Sequence, residues 1–122
     1  MSFTFPVGSV ITAKVKLTDN TATTLVDADA GRVTILSIDV TETQGGTPNL
    51  TIDVTDGTTT WFKRNAAALT AKGSVTYDDV FILDNGETLR ATSSDASGDV
   101  DIFVTYAALG IAGRGAGGMV GG

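Results

Sequence analysis

Alternation of apolar and polar side chains at a period of two does most to narrow the folds open to this sequence. In Ile11-Thr12-Ala13-Lys14-Val15-Lys16-Leu17 the odd positions are apolar and the even ones polar, and Leu50-Thr51-Ile52-Asp53-Val54-Thr55 repeats the pattern. Val100-Asp101-Ile102-Phe103-Val104-Thr105-Tyr106 follows it except at Phe103. A pleated strand sends successive side chains to opposite faces, so this period predicts half-buried strands. Thr supplies about 20 of the 122 residues, and β-branched side chains crowd a helix turn but sit well on a pleated surface. Two further runs, Val33 to Val40 and Val80-Phe81-Ile82-Leu83, place apolar residues on both faces and predict strands covered on both sides.

Turn chemistry separates the runs at Asp19-Asn20, Gln44-Gly45-Gly46-Thr47-Pro48, Asp56-Gly57, Asp84-Asn85-Gly86 and Ser97-Gly98. Only Asn65-Ala66-Ala67-Ala68-Leu69 predicts helix, about one turn of it. Seven or eight short strands with regular turns predict an all-β fold, an antiparallel β-sandwich of jelly-roll-like form. One hairpin can be taken to single residues. Asp56-Gly57 suits a two-residue type I′ turn, which would pair Thr55 with Thr58, Val54 with Thr59 and Ile52 with Trp61. Trp61 is then expected on the buried face, while Phe62 points the other way, beside Thr51 and Asp53. Phe103 likewise falls on the polar face of its strand. Either a loop or second layer covers these two rings, or they belong to a patch that a partner buries.

The ends differ from the middle. Phe3, Phe5 and Val7 alternate along residues 1–9, where Pro6 discourages helix. Residues 110–122 are rich in glycine and carry Arg114 and Met119. The expected division is an N-terminal arm over 1–9, a sandwich over 10–109 and a glycine-rich tail over 110–122. Glycines beside Arg114 would let the backbone lie close to a neighbouring surface, where the guanidinium could bind a carboxylate in two-pronged fashion.

Composition removes most chemistry. The sequence holds 8 Lys+Arg against 14 Asp+Glu, a formal charge of −6, with no His and no Cys. Disulfides, thiolate nucleophiles, sulfur-ligated metals and the commonest general base are therefore absent. The acidic balance argues against nucleic acid as a partner. No run approaches the ~18 apolar residues of a membrane span, and the first residues lack the basic start and apolar stretch of a secretory signal, so the expectation is a soluble domain made in the cytoplasm.

Candidate motifs fail on context. Gly113-x-Gly115-x-x-Gly118 has the dinucleotide spacing but neither the preceding strand nor the following helix that give it meaning. Asp95-x-Ser97-x-Asp99-x-Asp101 opens like a calcium loop, but Val100 and Tyr106 stand where its Gly and bidentate Glu are required. That leaves at most a surface cation between Asp95 and Asp99. Asp27-x-Asp29 and Asp78-Asp79 could supply paired carboxylates, yet nothing in the sequence makes them converge. Ser-Lys chemistry with Lys14, Lys63 or Lys72 has no motif behind it. Lys63-Arg64 closes a strand, either as ordinary solvated charge or facing an acidic partner. No catalysis and no cofactor or metal are expected.

The order of Arg32-Val33-x-Ile35-x-x-Ile38-x-Val40-Thr41, Trp61-Phe62, Leu83-x-x-Gly86-Glu87-Thr88-Leu89-Arg90-Ala91 and Val100 to Tyr106 resembles small β-sandwich virion proteins of tailed bacteriophages. Capsid cement or decoration proteins and neck proteins are the members it is most similar to, over residues 31–107. The resemblance implies a protein of the virion, on the capsid exterior or at the neck, that bridges major capsid subunits or neighbouring neck and tail proteins. It implies a homo-oligomer, and a trimer would suit a capsid symmetry axis. The docking surface expected is Phe3, Phe5, Val7, Phe62, Phe103, Arg114 and Met119. A carbohydrate- or cell-surface-binding sandwich is the other class; it requires exposed aromatic platforms.

Overall fold

Each alternating stretch forms a strand. A computed structural model describes residues 10–108, which hold β1 (Val10–Leu17), β2 (Thr23–Asp27), β3 (Val33–Glu42), β4 (Asn49–Thr55), β5 (Thr60–Ala68), β6 (Ser74–Tyr77), β7 (Phe81–Leu83), β8 (Thr88–Ser93) and β9 (Val100–Ala108). The fold is all-β, with no helix among the described residues. One sheet runs β1-β9-β3-β6, with β7 also on β3, and the other runs β2-β8-β4-β5. Every pairing is antiparallel.

The pairings nest. β4 pairs with β5, β3 with β6 and β7, β2 with β8, and β1 with β9. The chain is thus one long hairpin, rolled so that successive pairs fall in opposite sheets, which is the jelly-roll-like form expected. Rolling turns one face of every strand inward, and the alternation supplies that face. Leu17, Ile35, Leu50, Ile52, Leu83, Leu89 and Ile102 are fully buried, each contributing roughly 1.5–3 kcal/mol by leaving water.

Five local expectations are corrected. The strands number nine, because the sequence breaks between β6 and β7 along the same margin of β3. Asn65–Leu69 is not helical: Asn65 to Ala68 continue β5, and Ala66 takes φ 54 at a bulge where its N–H meets Thr51 Oγ1 at 3.1 Å. Pairing with β4 overrides alanine's helix preference. The 56–59 connection is a four-residue loop, since Thr55 pairs with Thr60 and Val54 with Trp61. The Asp56 carboxylate accepts the N–H groups of Thr58 and Thr59 at 2.9 and 2.7 Å, and that side-chain turn displaces the tighter one. A shift of two keeps Trp61 on the inward side, but β5 is a sheet margin and the indole is 48% exposed instead of buried. Nor are the two apolar runs covered on both faces: Thr34 and Asp39 face outward along β3, and Val80 and Ile82 are exposed.

Candidate functional site

Three parts of the described surface carry side chains that the core does not use. The first is the outer face of the β1-β9-β3 sheet. Lys14, Phe103, Asp39 and Thr76 form one row across it, and Phe103 stands 44% exposed in their midst. Phe62 occupies the corresponding place on the opposite sheet, in a row with Asp53, Arg90 and Thr24, and is 57% exposed. Among the described residues, no loop or second layer covers either ring. The two therefore sit on opposite outer faces and do not form one patch. Phe3, Phe5, Val7, Arg114 and Met119 lie outside the described residues.

Beneath Phe62, Arg90 Nε donates to Asp53 Oδ1 at 2.8 Å, with the carboxylate buried on this outer face. The rest of that face is mostly threonine: Thr24, Thr51, Thr55, Thr88 and Thr92.

The second part is the side where β5 and β6–β7 border the gap between the sheets. Lys63 Nζ lies 4.5 Å from the Phe81 ring centre and the Arg64 guanidinium 4.2 Å from that of Tyr77. Arg64 also donates to Asp79 at 2.8 Å, and this bond, then the guanidinium charge, holds the Asp79 carboxyl below its ordinary range. These cation–π and ionic contacts close the gap, leaving about 10 Å³ between Ile38, Ile52 and the seam residues, room for one water at most. Lys63-Arg64 is thus engaged within its own molecule. Outside the seam, Trp61, Val80 and Ile82 stay exposed.

The third part is the end of the sandwich where loops 43–48, 69–73 and 94–99 meet. Glu42, 1% exposed, accepts four backbone N–H groups: Gly45 and Lys72 at 2.8 Å, Gln44 and Gly46 at 3.1 Å. The Lys72 N–H foremost, with the other three, holds its carboxyl below the usual range against the opposing effect of burial. Ser93, also buried, donates to the Gly98 carbonyl at 2.9 Å and accepts from Asp95 N–H at 3.1 Å. Asp99 is pushed up by burial first, and then by the charges of Asp95 and Glu42. Asp95 and Asp99 do come together, as their spacing allowed. Among the described residues, no group of three or more carboxylate, His or Cys side chains is arranged to hold a metal ion.

The paired carboxylates do not converge. Asp27 accepts from Thr88 Oγ1 at 3.1 Å near one end, whereas Asp79 is held in the seam by Arg64. Sequence reasoning missed Glu42 altogether. Its signal was slight: one acidic residue ending a strand, before a Gln44-Gly45-Gly46 turn whose N–H groups need an acceptor.

No family model and no curated protein matches the sequence. Among solved structures, the chain is similar to a pentameric capsid protein isolated from metagenomic phage sequences, at 23% identity and a TM-score of 0.48, over 87% of this chain and 64% of that one. A second structure of a protein so described gives a TM-score of 0.49 at the same identity and coverage. A chain of infectious bursal disease virus, Gx strain, is similar at 13% identity and a TM-score of 0.42, over 85% of this chain and 39% of that one. This chain thus spans less than two thirds of the length of each.

Proposed function

We propose that this chain is a non-enzymatic structural protein of a tailed-bacteriophage virion, acting as a capsid cement or decoration protein that bridges and stabilises major capsid subunits. The observation that carries this reading is where the large exposed apolar side chains stand. Val10, Ile11, Trp61, Phe62, Val80, Ile82 and Phe103 lie on sheet margins and outer faces, spread around a rigid body as contacts to several neighbours require. Isolated apolar residues on a surface are ordinary, but aromatic rings on both outer faces and a sheet margin fit burial by partners. Modest contacts repeated over a symmetric shell bind through avidity without a tight single site. Phe3, Phe5, Val7, Arg114 and Met119 extend the docking surface in this reading.

Particles made by the phage that carries this gene, purified on a gradient and quantified by mass spectrometry, test the proposal. On the order of hundreds of copies per particle is the expected result, as avidity over a shell requires. A dozen or fewer moves the protein to the neck or tail, and absence from the particle overturns the virion reading. Trp61 favours one second reading, a carbohydrate-binding sandwich, because the exposed indole is the aromatic platform a sugar needs. A shift in the emission of this sole tryptophan on titration with capsule or cell-wall glycans would support it.

A further inference from the structure

The two margins of the β1-β9-β3-β6 sheet match each other. Strand direction alternates across it, so β1 and the β6–β7 margin run in opposite senses. A second copy displaced sideways, without turning over, therefore brings its β1 antiparallel to β7 of the first. Among the described residues, β1 pairs only with β9, and β6 and β7 only with β3. Both margins thus carry backbone N–H and C=O groups without a strand partner, the template that strand addition uses.

Side chains agree with this placement. Val10, Ala107, Thr34 and Ile82 form one transverse row, whose two ends, Val10 at 46% and Ile82 at 53%, are exposed. Sideways continuation sets Ile82 of one copy beside Val10 of the next. Lower down, Lys14 opens the row that Thr76 closes, and Asp78 lies two residues beyond Thr76. Neither Lys14 nor Asp78 is in an ion pair among the described residues. The β1 margin therefore offers Lys14 where the other offers Asp78. Pairing like margins about a two-fold axis would instead bring Lys14 toward its own copy, or Asp78 toward its own, and like charges across strands repel.

We infer that copies of this chain associate head to tail, β1 of one extending the sheet at β6–β7 of the next, through Val10 against Ile82 and Lys14 near Asp78. Such an interface is heterologous: it closes into a ring where the rotation between copies permits, and otherwise grows as a chain. It holds or falls independently of the virion setting.

The sequence contains no cysteine, so disulfide trapping reads the contact directly. Within one molecule Val10 and Ile82 stand three strand spacings apart, roughly 14 Å, too far for a disulfide, which needs Cα atoms within about 7 Å. Oxidation of the full-length Val10→Cys/Ile82→Cys variant is expected to give covalent species larger than dimers, while each single variant stays uncrosslinked. Ready dimers from either single variant would establish a two-fold contact and overturn the inference. A double variant that remains monomeric would do so too. Sedimentation equilibrium of the unsubstituted chain guards against a folding defect in the variants: its mass should rise with concentration, and a constant monomer mass contradicts the proposal.

Discussion

The end of the sandwich around Glu42 and the lateral margins of its β1–β9 sheet solve the same problem in opposite ways. At the Glu42 end, three loops bring together backbone N–H groups that no strand pairs, and one buried carboxylate takes four of them. Ser93 and the carbonyls of Asp99 and Gly73 take others: Thr43 N–H reaches Asp99 O at 2.9 Å and Glu42 N–H reaches Gly73 O at 3.0 Å. At the margins, β1 and β6–β7 leave one side of each strand without a described partner and add Val10, Val80 and Ile82 to the exposed surface. The first region is complete in a single molecule; the second is completed by another. Buried polar groups demand internal partners, because each left unpaired costs about 1–3 kcal/mol, whereas a margin open to water can wait for a neighbour.

The contrast breaks most severely if the closed end is forced open. Gly98 sits at φ +75, and a Cβ there would collide with the Leu17 carbonyl and the Thr18 nitrogen. Gly98→Ala should cost roughly 3 kcal/mol through backbone strain and overlap, read as a fall in the urea midpoint. Glu42→Gln should also destabilise, because an amide NH₂ replaces one acceptor oxygen and faces N–H groups it cannot satisfy.

Acid sharpens the same comparison. Hydrogen bonds from Lys72 first, then Gln44, Gly45 and Gly46, depress the folded pKa of Glu42, so the folded state binds this proton less readily than the unfolded chain. The stabilisation is complete above the unfolded value and fades as pH falls through the folded one. Melting temperature should therefore drop in that acidic range, and Glu42→Gln should flatten the drop. Asp99 has the opposite sign. Its raised pKa means that the folded state holds this proton more firmly, an advantage lost as pH rises through the folded value. Asp99→Asn should give a smaller gain in melting temperature near neutrality, shrinking on acidification. Asn also accepts the φ of 59 found there.

The smallest effect on stability belongs to the open surface. Phe62→Ser and Phe103→Ser should change unfolding free energy by no more than about 0.5 kcal/mol, as solvent-facing substitutions do. Both should weaken binding to purified capsids in co-sedimentation. Full binding by both variants would remove these rings from the docking surface.

Much of the fold was legible in the sequence because burial follows the pleat: Leu17, Ile52, Ile102 and Val104 all face inward where alternation put them. Errors arose where a side chain outcompeted a local rule. Asp56 satisfied the backbone N–H groups of its own turn and lengthened the loop, and pairing with β4 drew three alanines into strand. Val80 and Ile82 read as covered because an apolar run does not say whether its second face meets its own core or a neighbour. Glu42 was legible only in part: Gln44, Gly45 and Gly46 are close to it in sequence, but Lys72 lies 30 residues away in a loop that only the rolled topology brings to it.

The association through opposite margins is tested most directly by sedimentation velocity on Lys14→Glu and Asp78→Lys, separately and in equimolar mixture. Each variant alone places like charges across the contact and should sediment as a monomer. The mixture should recover larger species, because each introduced charge then faces its opposite on the neighbouring copy. Variants that assemble as the unsubstituted chain does, or a mixture that stays monomeric, would contradict the account.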